Sequence, residues 1–304
     1  MHRVAIRAAV LSMAAGCAAV GGGVNDGSSL SWGAFNRGRL VNAARLPEVG
    51  DGYLVPPNWR RRGLSYGTDE LVNLLVHTAR RVAGENPGSV LYVADLSPRR
   101  GGRSVWHRSH QNGRDADLLF FALDTRGRPA RPPAAMSEFS PEGIAGEGND
   151  SLRFDVTRNW ALVRALLEEQ ETPIQYVFVA ESLKAILLDY AATIGESTDL
   201  VQRARAVLHQ PSAALPHNDH LHVRIYCPPD DRRLGCVDRG PLRWWKKTYK
   251  RRAGHNVPAP VNWRFSPTAV NPFYRLMLEQ AALHRWLGLT HPWLTGIASC
   301  GACR

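Results

Sequence analysis

The spacing of apolar positions divides the chain into helical and strand-like stretches. Apolar residues recurring every three to four positions predict helices over residues 69–82, 157–169, 183–194 and 199–208. Thr68 caps the first of these, with Asp69 and Glu70 in its first turn, where carboxylates favour the free backbone N–H groups. Gly195 stops the third before the fourth begins. Short apolar runs predict strands over 90–94, 118–122, 174–179 and 220–226. In the last of them residues alternate, so His220 and His222 share one face while Leu221 and Val223 take the other. Helices mixed with several short strands indicate an α+β domain, a small sheet flanked by helices and long loops. Proline, glycine and alanine dominate 128–149, which reads as an insertion loop rimming a cleft. After Val257 a Pro-Ala-Pro linker leads to Asn271-Pro272, a cap and first-turn pair for a helix reaching about Leu287.

The N-terminus changes the compartment. Arg3 and Arg7 precede an apolar stretch, residues 8–15, and small residues before Cys17, the pattern of a secretory signal too short to remain as a membrane span. Ala14-Ala15-Gly16-Cys17 resembles a lipoprotein cleavage box, which would leave Cys17 lipidated and the following glycine- and serine-rich residues as a tether. The expected organisation is a signal over 1–17, a tether over 18–30, one globular domain over 31–240 and a basic, aromatic extension over 241–304. Beyond Cys17 an even set of cysteines remains, Cys227, Cys236, Cys300 and Cys303, as suits an oxidising compartment. Cys300 and Cys303 are close enough in sequence to pair with each other.

The chain carries 38 Lys and Arg against 27 Asp and Glu; removal of Arg3 and Arg7 with the signal leaves 36 against 27, a net +9. Outside the cytoplasm such an excess favours wall polymers, lipopolysaccharide or lipid headgroups. The run from Arg243 to Arg252 interleaves six cations with Trp244, Trp245 and Tyr249. It suits a polyanionic or membrane surface, or a solvated basic turn, and secretion argues against nucleic acid as its partner.

Two clusters carry the chemistry. Ser109-His110-Gln111-Asn112-Gly113-Arg114-Asp115-Ala116-Asp117 and His217-Asn218-Asp219-His220-Leu221-His222 together supply imidazoles and a carboxylate. A hydrolytic zinc takes three protein ligands and keeps one position for a water, whose pKa falls to about 7. His110, Asp117 and His222 fill those three places; of the strand pair His220 and His222, one can bind metal while the other takes a proton. Gly113 permits the tight reversal between His110 and Asp117, and Asp117 directly precedes the apolar run from Leu118 to Ala122, a loop entering a strand. Asp115 and Asp219 suit the role of carboxylates that orient ligands from behind. His209, His255, His284 and His291 have no such company. A rival site, Gly63-Leu64-Ser65-Tyr66-Gly67, fits the turn that presents a serine nucleophile, but Asn58 to Arg62 ahead of it is no buried strand. Neither Ser-x-x-Lys nor Lys-Thr-Gly occurs, so an acyl-serine route and its sensitivity to β-lactams are not indicated.

The pairing of Ser-His-Gln-x-Gly-x-Asp-x-Asp with His-x-x-His-x-His, followed by Val223-Arg224 and Cys227-Pro228, resembles the penicillin-insensitive murein endopeptidases, within the wider group of zinc peptidases of the bacterial wall. The resemblance extends to Ser31-Trp32-Gly33-Ala34-Phe35-Asn36-x-Gly38, Tyr66-Gly67, Gly101-Gly102 and Tyr176-Val177-Phe178-Val179, and covers roughly residues 31–240. It implies a mostly antiparallel sheet carrying one Zn²⁺ per chain on His110, Asp117 and His222, with His220 as general base and His217 holding the charged transition state. It also implies a Cys227–Cys236 disulfide and places His107 where an accessory ligand or substrate contact belongs. The family's further Asp-x-x-His pair is not matched, since Asp155 is followed at that spacing by Arg158, which leaves a second metal without its ligands. The implied activity is hydrolysis of D-alanyl-meso-diaminopimelyl cross-links between peptidoglycan peptide stems, in the periplasm, with a lipid anchor in the outer membrane. The rivals are a D,D- or L,D-carboxypeptidase of the same zinc group and a non-catalytic wall-binding lipoprotein.

Overall fold

A computed structural model describes residues 26–212 and 214–240. The signal with Cys17, most of the tether, the run from Arg243 to Arg252, the helix expected from Asn271 and the pair Cys300 and Cys303 lie outside the described residues.

The architecture is mixed α and β, with several small, mostly antiparallel sheets among the helices. The longest helix among the described residues, Asp69–Glu85, begins where Thr68 Oγ1 accepts a hydrogen bond from the Leu71 N–H at 3.3 Å. Its buried side, Leu71, Val72, Leu74, Leu75, Ala79 and Val82, follows the helical repeat. Each such large apolar side chain contributes about 1.5–3 kcal/mol on burial, and Leu75→Ala would cost about 2–5 kcal/mol. It ends at Asn86, ahead of Pro87 and Gly88. The helix Val156–Glu168 starts from Asp155, whose carboxylate accepts from the Arg158 N–H at 3.1 Å, and packs against the first. Glu181–Thr193 and Thr198–Val207 complete the helical layer.

Beneath these helices the principal sheet has four strands in the order Leu208–His209, Ile174–Phe178, His220–Ile225, Asp115–Leu119. The first pair is parallel and the other two are antiparallel. One face, with Ala116, Leu118, Leu221, Val223 and Ile225, is buried in the core. An edge segment, Val93 to Ser97, runs beside Asp115–Leu119: Ala94 N donates to Asp117 O at 2.8 Å and Asp117 N to Asp95 O at 2.9 Å.

Two expectations change. The strand foreseen over 118–122 begins earlier, at Asp115, so Asp115 and Asp117 lie within it instead of on a loop leading to it. Every residue of this strand is buried, and its partner supplies cationic groups to its carboxylates, so apolarity does not mark its start. The stretch 128–149 is not wholly loop: Ile144–Ala145 pairs with Leu152–Phe154, which pairs with Ala122–Leu123.

At the N-terminus a hairpin, Leu30–Ala34 with Arg37–Val41, is sewn to the segment after the histidine strand. Gly33 N donates to Gly235 O, Val237 N donates to Gly33 O, and Ser31 N donates to Asp231 at 2.7 Å. Cys227 and Cys236 form a disulfide there.

Candidate metal centre

Strand register assembles the centre. His222 lies opposite Asp117, Arg224 opposite Asp115 and His220 opposite Leu119, so side chains two apart on each strand gather on one face of the pair. His110 arrives from the preceding loop in a left-handed backbone conformation, φ 60°, and His217 adopts φ 57° before the partner strand. Non-glycine residues held there cost of order 1–3 kcal/mol each, a strain that concentrates at functional sites. Gly113 between His110 and Asp117 has φ 78°, and a Cβ there would sit 2.6 Å from Leu40 Cδ1, so only glycine completes the reversal.

Three imidazole nitrogens converge on one carboxylate oxygen. Asp117 Oδ1 lies 3.3 Å from His110 Nε2, 3.3 Å from His220 Nε2 and 3.2 Å from His222 Nδ1. In each ring the other nitrogen is engaged. His110 Nδ1 donates to the Leu96 carbonyl at 2.9 Å, His220 Nδ1 to Asp219 Oδ1 at 2.6 Å and His222 Nε2 to Asp115 Oδ1 at 2.8 Å. Because a carbonyl or carboxylate can only accept, each outer nitrogen carries the proton, and a neutral ring turns its lone pair toward Asp117. Asp115 also accepts from Arg224 Nε at 2.6 Å and from the His110 backbone N–H at 3.3 Å, tying both clusters to one buried carboxylate.

Charge follows from this arrangement. Burial resists ionisation of Asp117, yet His110 and His220 hold its carboxyl well below the ordinary carboxylate range. Asp115 is likewise lowered despite burial, chiefly by Arg224 and then His222. Burial works against a charge on His220, but Asp117 and Asp219 outweigh it and push its pKa up to about 10. His217 goes the other way: burial, with His222 and His220 beside it, lowers its pKa to about 4. Its Nδ1 donates to the Leu215 carbonyl at 2.8 Å, so a neutral His217 offers only a lone pair at Nε2.

The donor set fits a divalent cation. Both Asp117 oxygens and His110 Nε2 are buried and lack an aligned hydrogen-bond partner among the described residues, although they stand at contact distance. Buried polar atoms left so cost about 1–3 kcal/mol each, and a cation among them removes that cost. Ligand atoms of His217, His220 and His222 lie within 4.8 Å of one another, as do those of His107, His110 and Asp117. The His110 and His222 rings, 4.7 Å apart, join the two groups. Imidazole with carboxylate suits zinc and other borderline divalent ions.

All the histidines and the aspartate expected at the site are thus within one cluster. His107 sits differently from the rest: its Nε2 is 2.8 Å from Asp95 Oδ2 and 3.7 Å from Asp117 Oδ2. Asp95, fully buried and also bonded by Arg62 at 2.7 Å, was not foreseen; a lone acid after a strand run gives no sequence signal. Asp155 is occupied by Arg158 at 2.5 Å. Ser65 is buried, and among the described residues no histidine or acid bonds its hydroxyl, so the serine-nucleophile arrangement is not formed. No helix of the described residues is long and apolar enough to cross a membrane.

Comparison with known proteins agrees with this geometry. A family profile described as penicillin-insensitive murein endopeptidase matches residues 31–254. A penicillin-insensitive murein endopeptidase of Klebsiella pneumoniae is 27% identical over 223 residues, 71% of this chain and 72% of the relative. One of Escherichia coli is 28% identical over 221 residues, 70% of this chain and 71% of the relative.

Proposed function

Because the chain belongs to the penicillin-insensitive murein endopeptidase family, a family of peptidoglycan hydrolases, we propose that it hydrolyses D-alanyl-meso-diaminopimelyl cross-links with one Zn²⁺ held by His110, Asp117 and His222. The observation that carries this reading is the convergence of His110 Nε2, His220 Nε2 and His222 Nδ1 on buried Asp117. Zinc, when bound, supplies a water acidified to a pKa of about 7 and a Lewis acid for the scissile carbonyl.

The chain's own groups do the rest. His222 and His110 present the nitrogen opposite to the one fixed by Asp115 and Leu96, so each ring's orientation is set before anything binds. His220 is the general base: Asp219 fixes its Nδ1 proton, leaving Nε2 to accept a proton from water and return it to the leaving amine. Asp117 is the main group that favours a charged His220; were its charge shared with a bound cation, the neutral ring would be favoured and Nε2 would be free for this work. His217, its Nδ1 proton held on Leu215, steadies the oxyanion in its protonated form: negative charge developing beside it raises its lowered pKa, and the Nε2 proton it then donates is taken up from solvent.

In the same reading residues 31–240 form the catalytic domain, and the signal exports the chain to the periplasm, where Cys17 anchors it to the outer membrane. The test is digestion of purified cross-linked muropeptides with and without a chelator. Dimers split to monomers, with the activity lost to chelator and restored by zinc, support the proposal. Release of free D-alanine without dimer cleavage would instead identify a carboxypeptidase, and no turnover would leave a wall-binding role.

A further inference from the structure

Past the end of the catalytic strand pair, where His220 faces Leu119, the described residues line a partly open cavity of about 160 Å³. Phe120, Phe121 and Phe139 give it apolar walls; Arg131, Arg158 and Asp219 give it charge. Asp219 is the wall shared with the candidate centre, since its Oδ1 holds His220 Nδ1 at 2.6 Å. A cavity of roughly 150 Å³ admits benzene, so this one has room for a short amino-acid side chain.

The charges are not equally committed. Asp219 is engaged by His220. Arg158 gives Nη1 to Asp155 at 2.5 Å and Nε to Ser89 at 2.9 Å, which aligns its guanidinium while Nη2 has no partner among the described residues. Arg131 is exposed and has no ion pair among the described residues. An apolar slot with cations of this kind selects a carboxylate attached to a short aliphatic stem. The wall that brings Arg131 is also locked to the histidine segment: Phe139 N donates to Asn218 O at 2.8 Å and Asn218 Nδ2 to Phe139 O at 3.4 Å.

We propose that this cavity receives the diamino acid on the amine side of the scissile bond, with Arg131 and Arg158 binding the carboxylate carried on the same carbon as the leaving nitrogen. This rests on the endopeptidase reading above. It makes the cavity a specificity subsite: an uncharged amide at that carbon loses the cationic contacts while the bond to be cut is unchanged.

The experiment compares kcat/KM for two cross-linked muropeptides that differ only in whether that carboxylate is free or amidated, using wild type, R131A and R131K. Wild type should prefer the free acid by about tenfold or more, the value of one hydrogen bond to a charged group. R131A should shrink that ratio toward one, and R131K should keep part of it through its charge. A wild type that cleaves both substrates equally, or an R131A that keeps the wild-type ratio even if both rates fall, overturns the subsite while the endopeptidase reading stands. A protein that cleaves neither substrate overturns both.

Discussion

Asp115→Asn removes one charge and almost no volume, yet the site should feel it twice. Asp115 is fully buried and accepts three hydrogen bonds, from His222 Nε2 at 2.8 Å, Arg224 Nε at 2.6 Å and the His110 backbone N–H at 3.3 Å. An asparagine can satisfy only one side of this arrangement. If its oxygen takes His222 and Arg224, its NH₂ meets the His110 N–H donor to donor; if it turns over, His222 and Arg224 face the NH₂ instead. Either way Arg224, only 4% exposed, loses its carboxylate. Removing one member of a buried ion pair costs about 3–5 kcal/mol. The Phe35 ring stays 3.6 Å from the Arg224 guanidinium carbon and continues to stabilise it, so the lower end, about 3 kcal/mol, is expected in urea unfolding. His222 also loses the acceptor that fixes its tautomer. Loss of such an orienting carboxylate lowers metal affinity by about 10- to 100-fold, measured by competition against a chromophoric chelator. A variant within about 1 kcal/mol of wild-type stability and twofold of its zinc affinity would refute the idea that Asp115 aligns the metal-binding face.

Other outcomes follow from the same structure. His220→Ala should keep its zinc and lose about 10²- to 10⁴-fold in kcat, the usual worth of a positioned base; near wild-type turnover on muropeptides would remove His220 from that role. Asp231 is buried near Glu70 and accepts from Ser31 N. Burial pushes its pKa from 3.8 up to about 7, so the folded state holds the proton more tightly than the unfolded state. That contribution to stability is complete below pH 3.8 and disappears as pH rises through about 7, an upper limit of about 4 kcal/mol at 1.36 kcal/mol per unit. Asp231→Asn keeps an acceptor for Ser31 and should flatten unfolding free energy between about pH 4 and pH 8, whereas an unchanged slope would count against this assignment. Reducing Cys227–Cys236, which closes a separation of nine residues, should cost about 2–3 kcal/mol; equal Tm with and without reductant would contradict it.

Much of this was legible before any coordinates. Thr68 and the acids after it start a helix at Asp69, and the alternation from His220 onward puts both histidines on one face of a strand, because these signals are local and periodic. Asp219 and Asp115, expected to orient ligands, do hold His220 and His222. What periodicity missed was set by partners distant in sequence. Asp117 sits inside its strand because His222 across the ladder matches it, a pairing that no apolar run reveals. Asp95 gains meaning only from Arg62, 33 residues before it, and His107, 12 residues after it. Of the run 90–94 only Leu91–Tyr92 forms regular strand, paired with Tyr53–Leu54, and the chain then leaves that sheet to run beside Asp117. The rim expected from 128–149 supplies Arg131 and Phe139 to the cavity, though composition alone said nothing of its charge.

The most direct test is the zinc content of the purified chain, wild type beside Asp117→Ala. Asp117 is the one group approached by all three converging imidazoles. The account predicts one zinc per chain in the wild type and none in the variant, with the variant still folded by circular dichroism. A wild type without zinc after exposure to it, or a variant that retains a full equivalent, would contradict the claim that these residues form a metal centre.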